Sequence, residues 1–236
     1  MTPHLILTHA RLRRPHIAVD DAGQPMEPTH RALWALFEDT SDDGGADDKG
    51  AKRDFLWRDE GEGEGRYVLL SPRQPADAHG LFALTSQALA DFNAGDTFSF
   101  HLRVNPVITS ARTHDELDKH GNRARGQKVD VVQHAMKMLP KGASLAQRAQ
   151  ATYDAGRAWL EAQGRKAGFK LTIPPVVSTY VPAPVEGHKG RIVAFTELDI
   201  SGQLEITDAA TFAAKLATGF GSAKAYGNGL MLLSPA

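Results

Sequence analysis

The chain has 236 residues, of which 42% are hydrophobic and 23% charged, a composition typical of globular proteins with one large or two small domains. It contains no cysteine, which excludes disulfide bonds, thiolate metal ligands and a cysteine nucleophile. The net charge of -1 hides an asymmetry: residues 1–98 carry 10 basic against 17 acidic side chains, whereas residues 99–236 carry 17 against 11.

This charge distribution predicts where a polyanion would bind. Phosphate contacts need local positive charge whatever the total, so a nucleic-acid partner is expected mainly on the second half. A chance difference between two small domains would give the same imbalance. The start of the chain lacks the order of a secretory signal, and no apolar run approaches the roughly 20 residues of a membrane span. We therefore expect a cytoplasmic protein with no membrane partner.

The first half predicts one strand, one helix and two further strands. Residues 5–12 alternate between apolar and polar side chains, and residues 28–37 carry apolar side chains at helical spacing. Two short strands are predicted at 54–58 and 66–71, and residues 81–92 fit either a short helix or an edge strand. This order fits a ferredoxin-like unit.

The second half predicts a similar order with insertions. It begins with a strongly alternating strand at 97–104, followed by a polar, basic stretch from 109 to 128. The remaining predicted elements are a helix at 145–164, strands at 170–182 and 191–200, a helix at 209–217 and a strand at 230–233. The predicted fold is therefore α+β, with two tandem ferredoxin-like (RRM-like) domains at residues 1–94 and 95–236.

Three segments carry a family resemblance. The first is His-Arg-Ala-Leu-Trp-Ala-Leu-Phe at 30–37, with Arg-Asp-Phe-Leu-Trp at 53–57; the second is Leu-Arg-Val-Asn-Pro-Val at 102–107. The third is the glycine-rich segment Gly-Phe-Gly-Ser-Ala-Lys-Ala-Tyr-Gly-Asn-Gly-Leu-Met at 219–231. In this order, from end to end, the chain resembles the CasE family of type I-E CRISPR repeat endoribonucleases.

The resemblance implies two ferredoxin-like domains and recognition of the CRISPR repeat RNA hairpin. It also implies cleavage of precursor CRISPR RNA without a metal or other cofactor, and retention of the product with the other subunits of the Cascade complex.

His30 is the predicted catalytic residue, because the family's catalytic histidine falls on this position. RNA can be cleaved without metal when its own 2′-hydroxyl attacks the adjacent phosphorus, and histidine suits the proton transfers this needs. A structural role at the start of a helix is the alternative. Some relatives carry a tyrosine three residues earlier, where this chain has Glu27. A carboxylate would repel phosphate, so the identity of a second catalytic group stays open.

The glycine-rich segment predicts close approach to an RNA backbone. Gly219, Gly221, Gly227 and Gly229 leave backbone N–H groups unobstructed, and Lys224 lies among them. The spacing lacks the third glycine of a dinucleotide site and the Gly-Lys-Ser/Thr of a nucleotide loop. A helix-to-strand turn without a ligand is the alternative.

Further basic residues are assigned to RNA binding, with a solvated surface charge as the alternative for each. Some lie in the polar stretch, some at a predicted hairpin tip near residue 188, and one at the strand end of the second motif. They are Arg103, Arg123, Arg125, Lys128, Lys189 and Arg191.

Other features are read as structural. The aromatic residues Trp34, Phe37, Trp57, Tyr153 and Trp159 are expected in the core, and the scattered histidines predict no metal site. Two rival functions remain: a non-catalytic hairpin-binding subunit of the same complex, and an unrelated tandem ferredoxin-like protein that binds a small anion.

Overall fold

The structure is a computed structural model that describes residues 4–13, 30–37, 54–60, 65–109, 128–186 and 192–236. The strands are β1 (Ile6–Leu12), β2 (Leu56–Asp59), β3 (Arg66–Ser71), β4 (Phe82–Ala88), β5 (Thr97–Val104), β6 (Val107–Thr109), β7 (Lys128–Asp130), β8 (Phe169–Leu171), β9 (Val176–Glu186), β10 (Ile192–Ile206) and β11 (Met231–Pro235). The α-helices are α1 (His30–Trp34), α2 (Val131–Lys137), α3 (Leu145–Ala167) and α4 (Ala209–Thr218). Short 3₁₀ helices follow α1 at Ala35–Phe37 and precede β11 at Lys224–Tyr226.

The first sheet has the antiparallel order β2-β3-β1-β4. This is the ferredoxin-like order, with α1 in the first crossover. The second crossover contains no helix, because residues 72–81 between β3 and β4 form only turns and irregular backbone. The ambiguous segment at 81–92 is an edge strand, and its alternating exposure fits one face on the core and one in solvent.

The second sheet has the order β11-β5-β10-β8, and β9 pairs with the other end of β10 on the same side as β8. Helices α3 and α4 are the two crossovers, so this unit has the complete ferredoxin-like order. The predicted α+β fold with two such units is confirmed. The boundary at residue 95 as a division between two domains stays a prediction.

An insertion between β5 and α3 was not predicted in this form. Strands β6 and β7 pair with each other, and α2 follows directly. The Asp130 side chain caps α2 by accepting hydrogen bonds from the backbone N–H groups of Val132 and Gln133.

Two apolar clusters form the interior, and one of them joins the two sheets. The smaller cluster lies between α1 and one face of the first sheet. The larger contains the core of the second unit together with Leu5, Leu56, Val68 and Leu70 from the opposite face of the first sheet. Of the aromatic residues predicted in the core, Phe37, Trp57 and Trp159 are buried, whereas Trp34 and Tyr153 are half-buried.

Candidate nucleic-acid interface

The glycine-rich loop, residues 219–230, is fixed to the end of β5. The backbone N–H of Gly229 donates to the Arg103 carbonyl at 2.8 Å, and that of Ser222 donates to the Asn105 carbonyl at 3.1 Å. The loop also closes on itself through a 2.9 Å hydrogen bond from the Phe220 N–H to the Gly229 carbonyl. The second and third sequence motifs are therefore parts of one local structure.

Two glycines are required by this closure. Gly221 has φ +63°, and a Cβ built there would lie 2.4 Å from the Asn105 carbonyl oxygen. Gly229 has φ +90°, and its Cβ would lie 2.4 Å from the Phe220 carbonyl oxygen. Since a left-handed backbone and a close approach both exclude a side chain, packing already accounts for glycine at these positions. Their contact with RNA stays a prediction.

The same loop packs against strand β2 of the first sheet. A Cβ on Gly219 would lie 2.8 Å from Leu56 Cδ1, and one on Gly227 would lie 3.1 Å from Trp57 Cζ3. Consecutive residues of a strand point to opposite faces, so the loop contacts both faces of β2. Trp57 belongs to the same cluster as Ala32 and Leu33 of α1. Trp57 thus contacts the loop that carries Lys224 and shares an apolar cluster with the helix that begins at His30.

Asn105 is held by a buried polar network. Its amide nitrogen donates to the Thr196 carbonyl at 2.9 Å, and the Thr196 hydroxyl donates to the Asp130 carboxylate. Tyr180 also donates to Asp130, at 3.2 Å, and burial raises the pKa of Tyr180 to about 12. This network fixes the Asn-Pro motif and positions the start of α2. The tyrosine stays protonated at neutral pH.

Arg103, assigned to RNA from the sequence, is paired within the protein. Its Nε and Nη2 atoms donate to the two carboxylate oxygens of Asp199 at 3.1 and 3.3 Å. This two-point contact raises the pKa of the Arg103 guanidinium. Arg58 from β2 lies close enough to interact electrostatically with both Arg103 and Asp199, and burial lowers the pKa of Arg58. The structure thus gives Arg103 a partner in its own sheet, and its contact with RNA stays a prediction.

Lys128 and Lys224 lie near each other at the glycine-rich loop. Lys128 Nζ donates to the Ser222 hydroxyl at 3.2 Å. Burial lowers the pKa of the Lys224 ammonium, and the charges of Lys215 and Lys128 lower it further. Two of the lysines assigned to RNA are therefore brought together by the fold, although 96 residues separate them in the chain.

The other predicted site residues lie outside the described part of the structure. They are the His30 side chain, Glu27, Arg123, Arg125, Lys189 and Arg191.

A family model described as "CRISPR associated protein" matches residues 5–235, almost the whole chain. The chain belongs to this family. The comparison with curated proteins gave no match.

Solved structures of CRISPR-associated proteins share the fold of this family member. Cas6e from Escherichia coli K-12 is 23% identical with a TM-score of 0.57, and Cse3 from Thermus thermophilus, bound to an RNA representing a pre-cleavage complex, is 20% identical with a TM-score of 0.59. A chain of a CRISPR RNA-guided surveillance complex is 16% identical with a TM-score of 0.58. Each match covers 98% of this chain and 100% of the other.

Two further observations apply to the described residues of this CRISPR-associated protein. None of its described helices is both long and apolar enough to cross a membrane. The described ranges also contain no group of three or more His, Asp or Glu side chains placed to hold a metal ion.

Sequence reasoning missed two residues in or beside the loop. Lys215 lies in the last turn of α4, and Ser222 directly follows Gly221 within the loop. The helical spacing of α4 indicated only that Lys215 lies on the polar face of that helix. A serine in a glycine-rich segment is typical of any turn. Neither residue type carried a signal of its own.

Proposed function

We propose that the chain is a metal-independent endoribonuclease that binds the stem-loop of a CRISPR repeat RNA. It cleaves precursor CRISPR RNA at the 3′ base of the hairpin and stays bound to the mature product within Cascade, in the cytoplasm. Membership of the CRISPR-associated family supports this, as does the likeness of the fold to Cse3 bound to a pre-cleavage RNA.

The observation that carries the proposal is the position of Trp57. It packs against Gly227 of the glycine-rich loop and belongs to the same apolar cluster as residues of α1, whose first residue is His30. An RNA strand that follows the cationic loop would therefore pass close to the start of α1. The acidic half supplies the proton-transfer group, and the basic half binds the phosphates.

The reaction needs no group beyond the RNA and the protein. The 2′-hydroxyl oxygen attacks the adjacent phosphorus while its proton leaves, and the bond to the 5′-oxygen breaks as that oxygen gains a proton. His30 carries out one of these transfers, since its unperturbed pKa lies near neutrality. The products are a 2′,3′-cyclic or 3′-phosphate and a 5′-hydroxyl.

RNA binding would draw on cations of the second half. The residues proposed are Arg103, Arg123, Arg125, Lys128, Lys189, Arg191 and Lys224, with the backbone of Gly219, Gly221, Gly227 and Gly229. Stem and backbone contacts persist after cleavage, because only one bond at the base of the hairpin breaks. That persistence explains why the product would remain bound.

Glu27 favours a second candidate, a hairpin-binding subunit without catalysis. Purified protein incubated with repeat RNA and EDTA separates the two. Cleavage in EDTA supports the nuclease, whereas tight binding of uncut RNA supports the binding subunit. His30→Ala should abolish cleavage and leave hairpin affinity nearly unchanged; loss of affinity as well would give His30 a structural role.

A further inference from the structure

Lysines from three separate elements contact or belong to the glycine-rich loop. Lys128 begins β7, Lys215 lies in the last turn of α4, and Lys224 begins the 3₁₀ helix within the loop. Lys128 reaches the Ser222 hydroxyl, and Lys215 Nζ lies 5.1 Å from the centroid of the buried Phe220 ring. The loop residues Phe220 and Ser222 therefore hold two of the three lysines in place.

The backbone of the loop fixes the third lysine. Ala223 has φ +56° and is the one non-glycine residue with a positive φ in the described ranges. An alanine in this region is strained and persists only where the surroundings demand it. It directs the chain into the 3₁₀ helix that begins at Lys224. The Lys224 stem then packs over Gly229, where a Cβ would lie 3.3 Å from Lys224 Cγ.

The charges of these lysines act on one another. Burial lowers the pKa of Lys215, and Lys166 lowers it further; Lys224 feels both Lys215 and Lys128. The charges that lower these two pKa values belong to other lysines. Half-buried cations gathered in this way repel one another, and a bound anion relieves that repulsion. The arrangement suits a ligand with several negative charges.

We propose that Lys128, Lys215 and Lys224, with the Ser222 hydroxyl, form one binding site for backbone phosphates of the RNA. This rests on the proposed function and deepens it, because it adds Lys215 and Ser222 and joins the insertion, α4 and the loop in a single site. Ser222 accepts from Lys128 and can donate its own hydrogen to a phosphate oxygen. Lys215 is the sharpest test, since it lies outside all three sequence motifs.

The test measures the dissociation constant of repeat hairpin RNA over a series of salt concentrations. The RNA carries a 2′-deoxynucleotide at the cleavage point so that it stays intact. Lys215→Met keeps the aliphatic stem on Phe220 and removes the charge. It should weaken binding and lower the slope of log affinity against log salt by about 1, so that a fourfold rise in salt weakens the wild type about fourfold more than the variant.

Three further variants make the result decisive. Lys141→Met, at an exposed lysine between α2 and α3, should match the wild type in both affinity and slope. Lys215→Arg should keep the wild-type slope. Lys128→Met, at an exposed position where folding is not at risk, should repeat the loss of about 1 in slope.

Equal slopes for Lys215→Met, Lys128→Met and Lys141→Met would overturn the site. Binding and cleavage by the wild type, measured in the same experiment, test the proposed function separately from the phosphate site. If it binds and cuts unmodified repeat RNA while the lysine variants match Lys141→Met, only the phosphate site is wrong. If it neither binds nor cuts, the proposed function fails and the site with it.

Discussion

At the scale of single residues, the Arg103–Asp199 pair shows how charge is placed where the two sheets meet. Asp199 opposes Arg103 directly across β5 and β10, and its side chain is only 13% exposed. Arg58 is buried beside them, and its Nε and Nη1 atoms have no hydrogen-bond partner among the residues that the structure describes. Two arginines therefore depend on the carboxylates around them, of which Asp199 is the nearest to Arg103.

Asp199→Asn should lower the free energy of unfolding by about 2–3 kcal/mol, because it removes the ion-pair partner of Arg103 and a carboxylate that offsets the charge of the buried Arg58. Urea denaturation measures this. The matched control is Glu205→Gln on the same strand. Glu205 Oε1 lies 2.8 Å from Lys170 Nζ, and the Lys170 side chain is 57% exposed. A surface pair of that kind contributes at most about 1 kcal/mol. Equal losses in the two variants would contradict the special role of Asp199.

Tyr180 makes stability depend on pH in the alkaline range. Its pKa is about 12 in the folded protein and close to 10 in an unfolded chain. Between these values the unfolded state releases a proton that the folded state keeps, so stability falls as pH rises from about 10 to 12. Tyr180→Phe should flatten this fall, measured as the free energy of unfolding at each pH. An unchanged slope would show that Tyr180 ionises normally.

Residue roles were the part that the sequence predicted least well. Arg103 looked like a free cation because its partner lies 96 positions away, and only strand pairing brings the two together. Lys215 looked like an ordinary polar position of an amphipathic helix. Lys128 and Lys224 were predicted from the loops that contain them, and the Ser222 hydroxyl that accepts from Lys128 belonged to no sequence pattern.

At the scale of elements, the glycine-rich loop is a connector between the sheets as well as a candidate RNA contact. It is hydrogen-bonded to β5 and packed on both faces of β2. A side chain at one of its closest approaches should therefore disturb the whole interface between the two units.

Gly221→Ala should destabilise the protein by about 3 kcal/mol, through a left-handed alanine and a clash with the Asn105 carbonyl. Gly80→Ala is the matched control: its φ is +66° and nothing lies within 4 Å of the added Cβ. That control should lose only about 1–2 kcal/mol, because it carries the backbone strain alone. Thermal or urea unfolding compares them; equal losses would mean that the close approach is not required.

Most elements could be predicted from their periodicity, and the exceptions have physical causes. Strands β1 and β5 alternate clearly because one face of each is buried. Helix α3 is long and has an N-terminal capping box at Ser144 and Gln147. The β6–β7 hairpin and α2 are too short for a period to stand out, and pairing with a distant partner defines the two strands.

At the scale of the whole molecule, the two units share the larger of the two apolar clusters. Leu5, Leu56, Val68 and Leu70 of the first sheet lie in the same cluster as the core of the second. The first unit lacks a second crossover helix, and the second unit covers part of the sheet face opposite α1. The acidic and basic halves of the chain therefore share a core. The acidic half contains α1, and the basic half contains the glycine-rich loop.

This shared core predicts a single unfolding transition. Scanning calorimetry should give one peak whose calorimetric enthalpy equals its van't Hoff enthalpy, because neither unit can lose its structure without exposing the other's apolar residues. Two resolved peaks would contradict the shared core and would favour independent domains divided near residue 95.

The central claim is that RNA supplies its own nucleophile at a site that we propose His30 of α1 and the glycine-rich loop form together. The most direct measurement compares repeat RNA with the same RNA lacking one 2′-hydroxyl, at the nucleotide 5′ to the cleaved bond, in EDTA. The account predicts that the protein cuts the first, leaving a cyclic or 3′-phosphate, and binds the second with equal affinity without cutting it. Cleavage of the deoxy-substituted RNA at the same bond would contradict it.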